Sequence, residues 1–163
     1  MKPKFTPPKR TRSKAARFDV LLRKLKKEIP AFKECKRCGH CCGPLKLHPL
    51  EWVSIRKYLT HHELWGTVTE NYHVHQATTG GEQVMGCYLM AMDENRQATC
   101  LIYPVRPIVC RMQGVKDNLK CPHASVTPIK MTERMNEYYA DLKDKGLVLN
   151  DMIENVVGKK GEA

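Results

Sequence analysis

Eight cysteines carry most of the chemistry that this 163-residue chain could perform. Four stand in one short run, Cys35-Lys36-Arg37-Cys38-Gly39-His40-Cys41-Cys42-Gly43-Pro44, which has the form C-x2-C-x2-C-C. A C-x2-C loop turns back on itself and aims two sulfurs at one ion. Gly39 and Gly43 permit the tight or positive-φ turns that such loops use. Cys41 completes C-x2-C-x2-C, a spacing shared with several iron–sulfur ligand loops. Adjacent side chains diverge, so Cys41 and Cys42 are not expected to serve one ion equally; one is expected to bind a second ion or simply be buried. The other thiols are Cys87, Cys100, Cys110 and Cys121. Ligation shared between a local loop and distant cysteines predicts a site that ties the fold together, with folding energy supplied by the metal and a loose apo form. If all eight bind, two four-ligand sites result; if seven bind, one site keeps an open position.

Compartment decides between metal and disulfide. The basic start, MKPKFTPPKR, is not followed by an apolar run, so a secretory signal is not expected, and a cytoplasmic, reducing setting is. There thiols in this density point to metal ahead of buried free thiols or redox disulfides. Lys36, Arg37, Arg106 and Arg111 lie beside cysteines in sequence. Their charge would offset that of a thiolate cluster, lower thiol pKa values and raise the potential of a redox cluster, so Arg106 and Arg111 are read as cofactor-supporting residues. The plainer alternative is that Arg106 caps a loop. Of the seven histidines, His40 and His123 sit beside cysteines and are the better candidates to replace a thiolate. His61-His62-Glu63 is locally dense, and His73 and His75 alternate as on one strand face.

The net charge of +11 is concentrated at one end: residues 1–40 hold 14 Lys/Arg against 3 Asp/Glu, whereas residues 41–163 hold 14 of each sign. Residues 1–14 read as a disordered basic tail. From Ala15, Phe18, Leu21, Leu22, Leu25 and Ile29 recur at helical spacing, with Arg23, Lys24, Lys26 and Lys27 mostly opposite, and Pro30 ends the helix. That basic surface is either a solvated face or a contact for an anionic partner. No stretch approaches the length of a membrane span.

The supporting elements follow from local pattern. A helix should start at His48-Pro49 and run to Leu59, with Thr60 to Glu70 a connector. Gly81 to Met90 and Ala98 to Tyr103 read as strands around the polar tip Asp93-Glu94-Asn95-Arg96, a hairpin that would bring Cys87 near Cys100. Thr132 should cap a helix that Gly146 stops, and a last helix should span Asp151 to Val157. The sum is a small α+β domain stapled by metal: a tail over 1–14, a basic amphipathic helix over 15–30, the cysteine-cluster domain over 31–125, and C-terminal helices over 126–163 packing on it.

The chain resembles the CxxCxxCC cysteine-cluster family, the YkgJ-type zinc- or iron-chelating domain whose core also occurs in flagellin lysine-N-methylase proteins. The resemblance rests on Cys35, Cys38, Cys41 and Cys42, then Cys87 with Tyr88-Leu89, then Cys100-Leu101-Ile102-Tyr103, Arg106-Pro107 and Cys110-Arg111. It spans residues 35–111. Pro104 stands where the family often has an acidic residue. The resemblance implies metal chelation; a methylase activity does not follow, because no methyl-donor site can be matched.

The expected function is therefore a cysteine-rich protein holding an iron–sulfur cluster, [4Fe–4S] by preference, or zinc, on Cys35, Cys38, Cys41, Cys42, Cys87, Cys100, Cys110 and Cys121. Its role would be accessory, redox or protein modification. The alternative is a zinc-stabilised interaction module whose residues 1–33 bind nucleic acid or an acidic protein.

Overall fold

The computed structural model describes residues 14–30, 37–39, 41–43, 45–79, 86–95, 97–116, 119, 121 and 128–158. The tail before Lys14, together with Cys35, Lys36, His40 and His123, lies outside the described residues. The elements are α1 (Lys14–Glu28), β1 (Lys46–Leu47), α2 (Pro49–His61), α3 (Trp65–Thr79), β2 (Met90–Met92), β3 (Ala98–Cys100), a 3-10 turn at Tyr103–Val105, α4 (Ile108–Arg111), α5 (Glu133–Lys145), β4 (Leu147–Val148) and α6 (Leu149–Val157). The protein is thus a small α+β domain with two two-stranded antiparallel sheets, β1–β4 and β2–β3. No helix among the described residues is long and apolar enough to cross a membrane.

Two apolar cores organise these elements. In one, Trp52, Ile55 and Leu59 of α2 meet Val68 of α3, Leu149, Ile153 and Val157 of α6, and Leu47, Tyr88, Leu89 and Ile102. In the other, the predicted stripe of α1 (Leu21, Leu22, Leu25 and Ile29) is buried against Ile108, Met112 and Val115 and against Met135, Tyr138 and Leu142 of α5. Burying four or five aliphatic side chains of one amphipathic helix outweighs the modest propensity of so basic a segment.

A buried carboxylate joins the cores. Glu51, in the first turn of α2, is 1% exposed. Its Oε2 accepts from the His48 backbone N–H (3.0 Å) and from the Tyr138 hydroxyl (2.9 Å), while Oε1 accepts from the Ile108 N–H (2.8 Å). One acid therefore caps α2, caps the start of α4 and reaches α5. Burial, then the Glu51 charge, pushes the Tyr138 phenol well up, so it remains a donor. His48 is the N-cap of α2: its Nδ1 accepts from Leu50 N–H (3.2 Å) and completes a capping box with Glu51. Accepting at Nδ1 puts the neutral ring's proton on Nε2, which faces Asp141 of α5 at 2.8 Å; the Phe18 ring of α1 stacks on the imidazole at 3.8 Å.

Local departures from the sequence pattern have physical causes. Residues 65–79 form a helix where a connector and a strand-like His73/His75 face were expected. The β-branched and aromatic residues of this stretch favour strands, but Trp65, Val68 and Tyr72 reach one core from one side of a helix. The first hairpin strand is only Met90–Met92, and Cys87 lies in the turn before it, closed by Met90 N–H to Cys87 C=O (2.9 Å). The hairpin tip is an Asp93 turn whose Oδ1 accepts from Asn95 and Gln97 N–H. Thr132 caps α5 as expected, its Oγ1 accepting from Met135 N–H. Gly146 ends α5 but not in the left-handed region: at φ −64 the chain turns straight into β4, and a Cβ there would run into the Leu142 carbonyl. The pairing of β1 with β4 (Lys46↔Val148, Leu47↔Leu147) fastens the last helix to the segment that follows the cysteine loop.

Glu51→Ala strips three donors of one acceptor and is expected to cost about 3 kcal/mol, whereas Tyr138→Phe removes a single bond and should cost about 1 kcal/mol. Urea denaturation followed by circular dichroism compares the two. Equal losses would show that the carboxylate is not the joint between the cores.

Candidate metal centre

The cysteine-rich loop is hung on the β2–β3 hairpin by Arg37 and Gly39. The Arg37 carbonyl accepts from Ala98 N–H (2.6 Å), and its guanidinium donates to the Ala98 carbonyl (3.1 Å), to Gln97 Oε1 (3.2 Å) and to Thr99 Oγ1. Asp93 faces it at 3.7 Å. Arg37 takes a positive φ of 53, and Gly39 one of 78. A Cβ on Gly39 would stand 2.9 Å from Met90 Sδ and 3.4 Å from Ala98 Cβ, so the loop lies flat on the hairpin only with glycine there. Cys42 N–H then closes a turn onto the Gly39 carbonyl (2.8 Å).

Cys87 and Cys100 are presented by matching segments, Cys87-Tyr88-Leu89 and Cys100-Leu101-Ile102. In each, the backbone N–H two residues on favours the thiolate against burial: that of Leu89 at Cys87 and that of Ile102 at Cys100. Leu101 N–H donates to the Leu89 carbonyl (2.9 Å), which ties the two segments together. Side chains from two helices fix the Cys87 turn. Asn71 of α3 donates to the carbonyls of Tyr88 (3.0 Å) and Met90 (3.1 Å). Asn150 of α6 donates to the Gly86 carbonyl (2.9 Å), and the Tyr88 hydroxyl donates to Glu154 (2.7 Å). Cys110 rides on α4, whose first N–H is held by Glu51.

These segments bring sulfurs together. None of the seven described cysteines is joined in a disulfide. The neighbouring Cys41 thiol, then burial and the charges of Cys41, Cys87 and Cys100, push the Cys42 thiol far above its usual range. Burial lifts Cys87 to about 12, against the Leu89 N–H, and Cys100 adds to it. Burial also raises Cys100, opposed by Ile102 N–H and the Arg106 charge and reinforced by Cys41. Cys110 is raised by burial, then by Cys87, Cys100 and Glu51, against Arg106. Five thiols from four stretches of chain therefore share one electrostatic neighbourhood. Cys38 belongs to the same loop, Cys121 is part-buried, and Cys35 lies outside the described residues. Among the described residues no group of three or more His, Cys, Asp or Glu is set to hold an ion.

The two arginines divide the work. Arg111 does the loop capping: its guanidinium donates to the carbonyls of Arg106 (3.2 Å) and Pro104 (2.9 Å). Arg106 lies over the Tyr103 ring at 4.1 Å, and its charge favours the thiolates of Cys100 and Cys110. Its Nε is buried without a hydrogen-bond partner among the described residues. A soft all-sulfur donor set with an unspent buried N–H beside it fits a thiolate-bound metal, whose sulfurs accept such bonds. Sequence reasoning missed Glu51, Asn71, Asn150 and Glu154. The S/T/D/N-x-x-E form of a capping box hints at Glu51, but His48 occupies the cap; the two asparagines carry no local signal.

No curated protein and no solved structure gives a significant match to the chain. A family model does: CxxCxxCC, described as "Putative zinc- or iron-chelating domain", matches residues 34–140. The match extends past the motif residues 35–111 to take in Cys121 and α5 as far as Ala140. Covering well over half of the chain, and falling on the loop, the paired Cys-x-apolar turns and the helix that carry the converging thiols, it places this protein in the CxxCxxCC family of metal-chelating domains.

Proposed function

We propose that the protein holds an iron–sulfur cluster, [4Fe–4S], with zinc as the alternative ion, and serves an accessory or redox role in a reducing, cytoplasmic compartment. The observation that carries this reading is the meeting of Cys41, Cys42, Cys87, Cys100 and Cys110 beside the unspent Arg106 N–H. These five thiols, with Cys35, Cys38 and Cys121, are the ligand set. Burial makes ionisation of Cys42, Cys87, Cys100 and Cys110 unfavourable unless a cation takes up the charge, which is what a metal centre does. A bound cluster supplies one-electron transfer. The chain's own part is to orient and tune: Leu89 and Ile102 N–H favour two of the thiolates, and Arg106 adds positive charge that favours the reduced state. The C-x2-C-x2-C spacing and this arginine favour a cluster over zinc. Anaerobic purification with visible absorption and elemental analysis tests it. The expected protein is coloured, with iron and sulfide in similar amounts; a colourless protein with stoichiometric zinc overturns the cluster.

A second reading concerns partners. The apolar face of α1 is consumed by the core, which leaves Arg17, Arg23, Lys24 and Lys27 exposed at the end of the chain that holds the whole charge excess. Arg23 is paired with Asp19 at 2.7 Å. This favours an anionic partner, nucleic acid or an acidic protein, for residues 1–33. Binding of a short duplex DNA should then weaken steeply with salt, with a log–log slope near one per phosphate contacted. Affinity that is flat in salt, or unchanged by reversing the charge of Arg17, Lys24 and Lys27 to Glu together with deleting residues 1–13, counts against it.

A further inference from the structure

The turn that carries Cys87 is gripped from two sides. On α3, Asn71 and His75 lie four residues apart and so share a face. On α6, Asn150 and Glu154 have the same spacing. The two helices pack against each other. Asn71 Nδ2 donates to the carbonyls of Tyr88 (3.0 Å) and Met90 (3.1 Å). His75 stands so close to Gly86 that a Cβ there would come within 2.7 Å of its Nε2. Asn150 Nδ2 donates to the Gly86 carbonyl (2.9 Å), and Glu154 accepts from the Tyr88 hydroxyl (2.7 Å). Backbone N–H groups supply the rest, Met90 to the Cys87 carbonyl and Leu101 to the Leu89 carbonyl, both at 2.9 Å. Every carbonyl from Gly86 to Met90 is therefore taken, and asparagine side chains take three of the five.

A trans peptide is planar, with its C=O and N–H pointing opposite ways. Holding the Gly86 carbonyl fixes the plane before Cys87, and holding the Cys87 carbonyl fixes the plane after it. Both soft backbone dihedrals of Cys87 are thereby set, and with them the direction of its Cα–Cβ bond. Holding the Tyr88 carbonyl likewise aims the Leu89 N–H, which favours the Cys87 thiolate against burial. Stability alone does not call for these amides. Asn150 is 7% exposed, and its Oδ1 has no hydrogen-bond partner among the described residues. A buried unpaired oxygen is unfavourable, and a leucine would fill a similar volume without one. We propose that Asn71 and Asn150 are positioning residues of the metal centre, holding the Cys87 turn so that its sulfur meets the ion already aimed. Groups of this kind, one step removed from the ligands, govern how tightly an ion is held.

This inference rests on the metal reading, and the test separates the two. Full-length protein and its Asn71→Leu variant are titrated with zinc against a chromophoric chelator, and with cobalt(II) while the thiolate-to-metal charge-transfer absorption is recorded. Leu21→Ala, in the core that does not contain the turn, controls for lost stability. Asn71→Leu should bind zinc about 10- to 100-fold more weakly and show a dimmer cobalt band. Leu21→Ala should lower the urea midpoint yet change zinc affinity by less than about twofold, since it shares no partner with the turn. Hydrogen exchange on the unmutated, metal-free chain supplies a measurement that needs no variant. Residues 86–92 should exchange at least about tenfold more slowly than residues 37–43, and this comparison decides alone if Asn71→Leu does not fold. Equal exchange in the two segments overturns the inference and leaves the metal reading standing. So does an Asn71→Leu protein with unchanged affinity and spectrum, or one whose loss Leu21→Ala matches. A chain that takes up neither zinc, cobalt nor iron refutes the metal reading, and the positioning role with it.

Discussion

The arrangement depends on one buried carboxylate. Glu51 is withdrawn from water and accepts three hydrogen bonds, from His48, Ile108 and Tyr138. A carboxylate in that position costs several kcal/mol unless its lone pairs are filled, so the three donors are held where the acid needs them. One of them, Ile108, begins the short helix that carries Cys110 two residues later. The acid that joins the cores therefore also sets how far Cys110 stands from Cys87 and Cys100, which face it electrostatically. Packing alone would leave that distance loose, because α4 is a single turn with little surface of its own.

A second constraint comes from charge. Thiols are weak hydrogen-bonding groups and tolerate burial while neutral, but five of them in one neighbourhood cannot all ionise in the absence of a cation. The raised Cys42, Cys87, Cys100 and Cys110 express that conflict, and the arginine beside them relieves only part of it. Metal chelation, the property of the family to which the chain belongs, resolves the conflict directly. Backbone N–H groups and Arg106 then become donors to sulfur rather than spectators, which is how such sites are usually steadied from outside their ligands.

The sequence was most legible where local chemistry decides the structure. The α1 stripe, the Pro49 start of α2, the Thr132 cap and the hairpin tip at Asp93 are short-range signals, and each appears in the fold. The hairpin that brings Cys87 toward Cys100 was also readable, although its strands are three residues long and Cys87 precedes them. What stayed hidden depends on distant partners. Helix α3 is dictated by the core that Val68 enters, not by its own Thr- and Val-rich sequence. The β1–β4 pairing joins residues about a hundred positions apart through two residues per strand, too short for any period to show. Arg37 reads in the sequence as a counter-charge for thiolates, yet its carbonyl and guanidinium both bond to residues 97–99 of the hairpin.

The same geometry limits how far the ion governs folding. Both cores are built from side chains of α1, α2, α3, α5 and α6 and need no thiolate to close, although Cys87 and Cys100 pack against one of them. The cysteine loop is different: its described anchors are the Arg37 and Gly39 contacts with the hairpin and the turn onto Cys42. Loop-closing bonds of this kind, partly exposed to water, contribute little individually. Ligation by the cysteines proposed above would therefore add folding free energy mainly at this loop and at the two Cys-x-apolar turns. A loose apo state would be loose at the metal-binding edge and ordered in the helical cores.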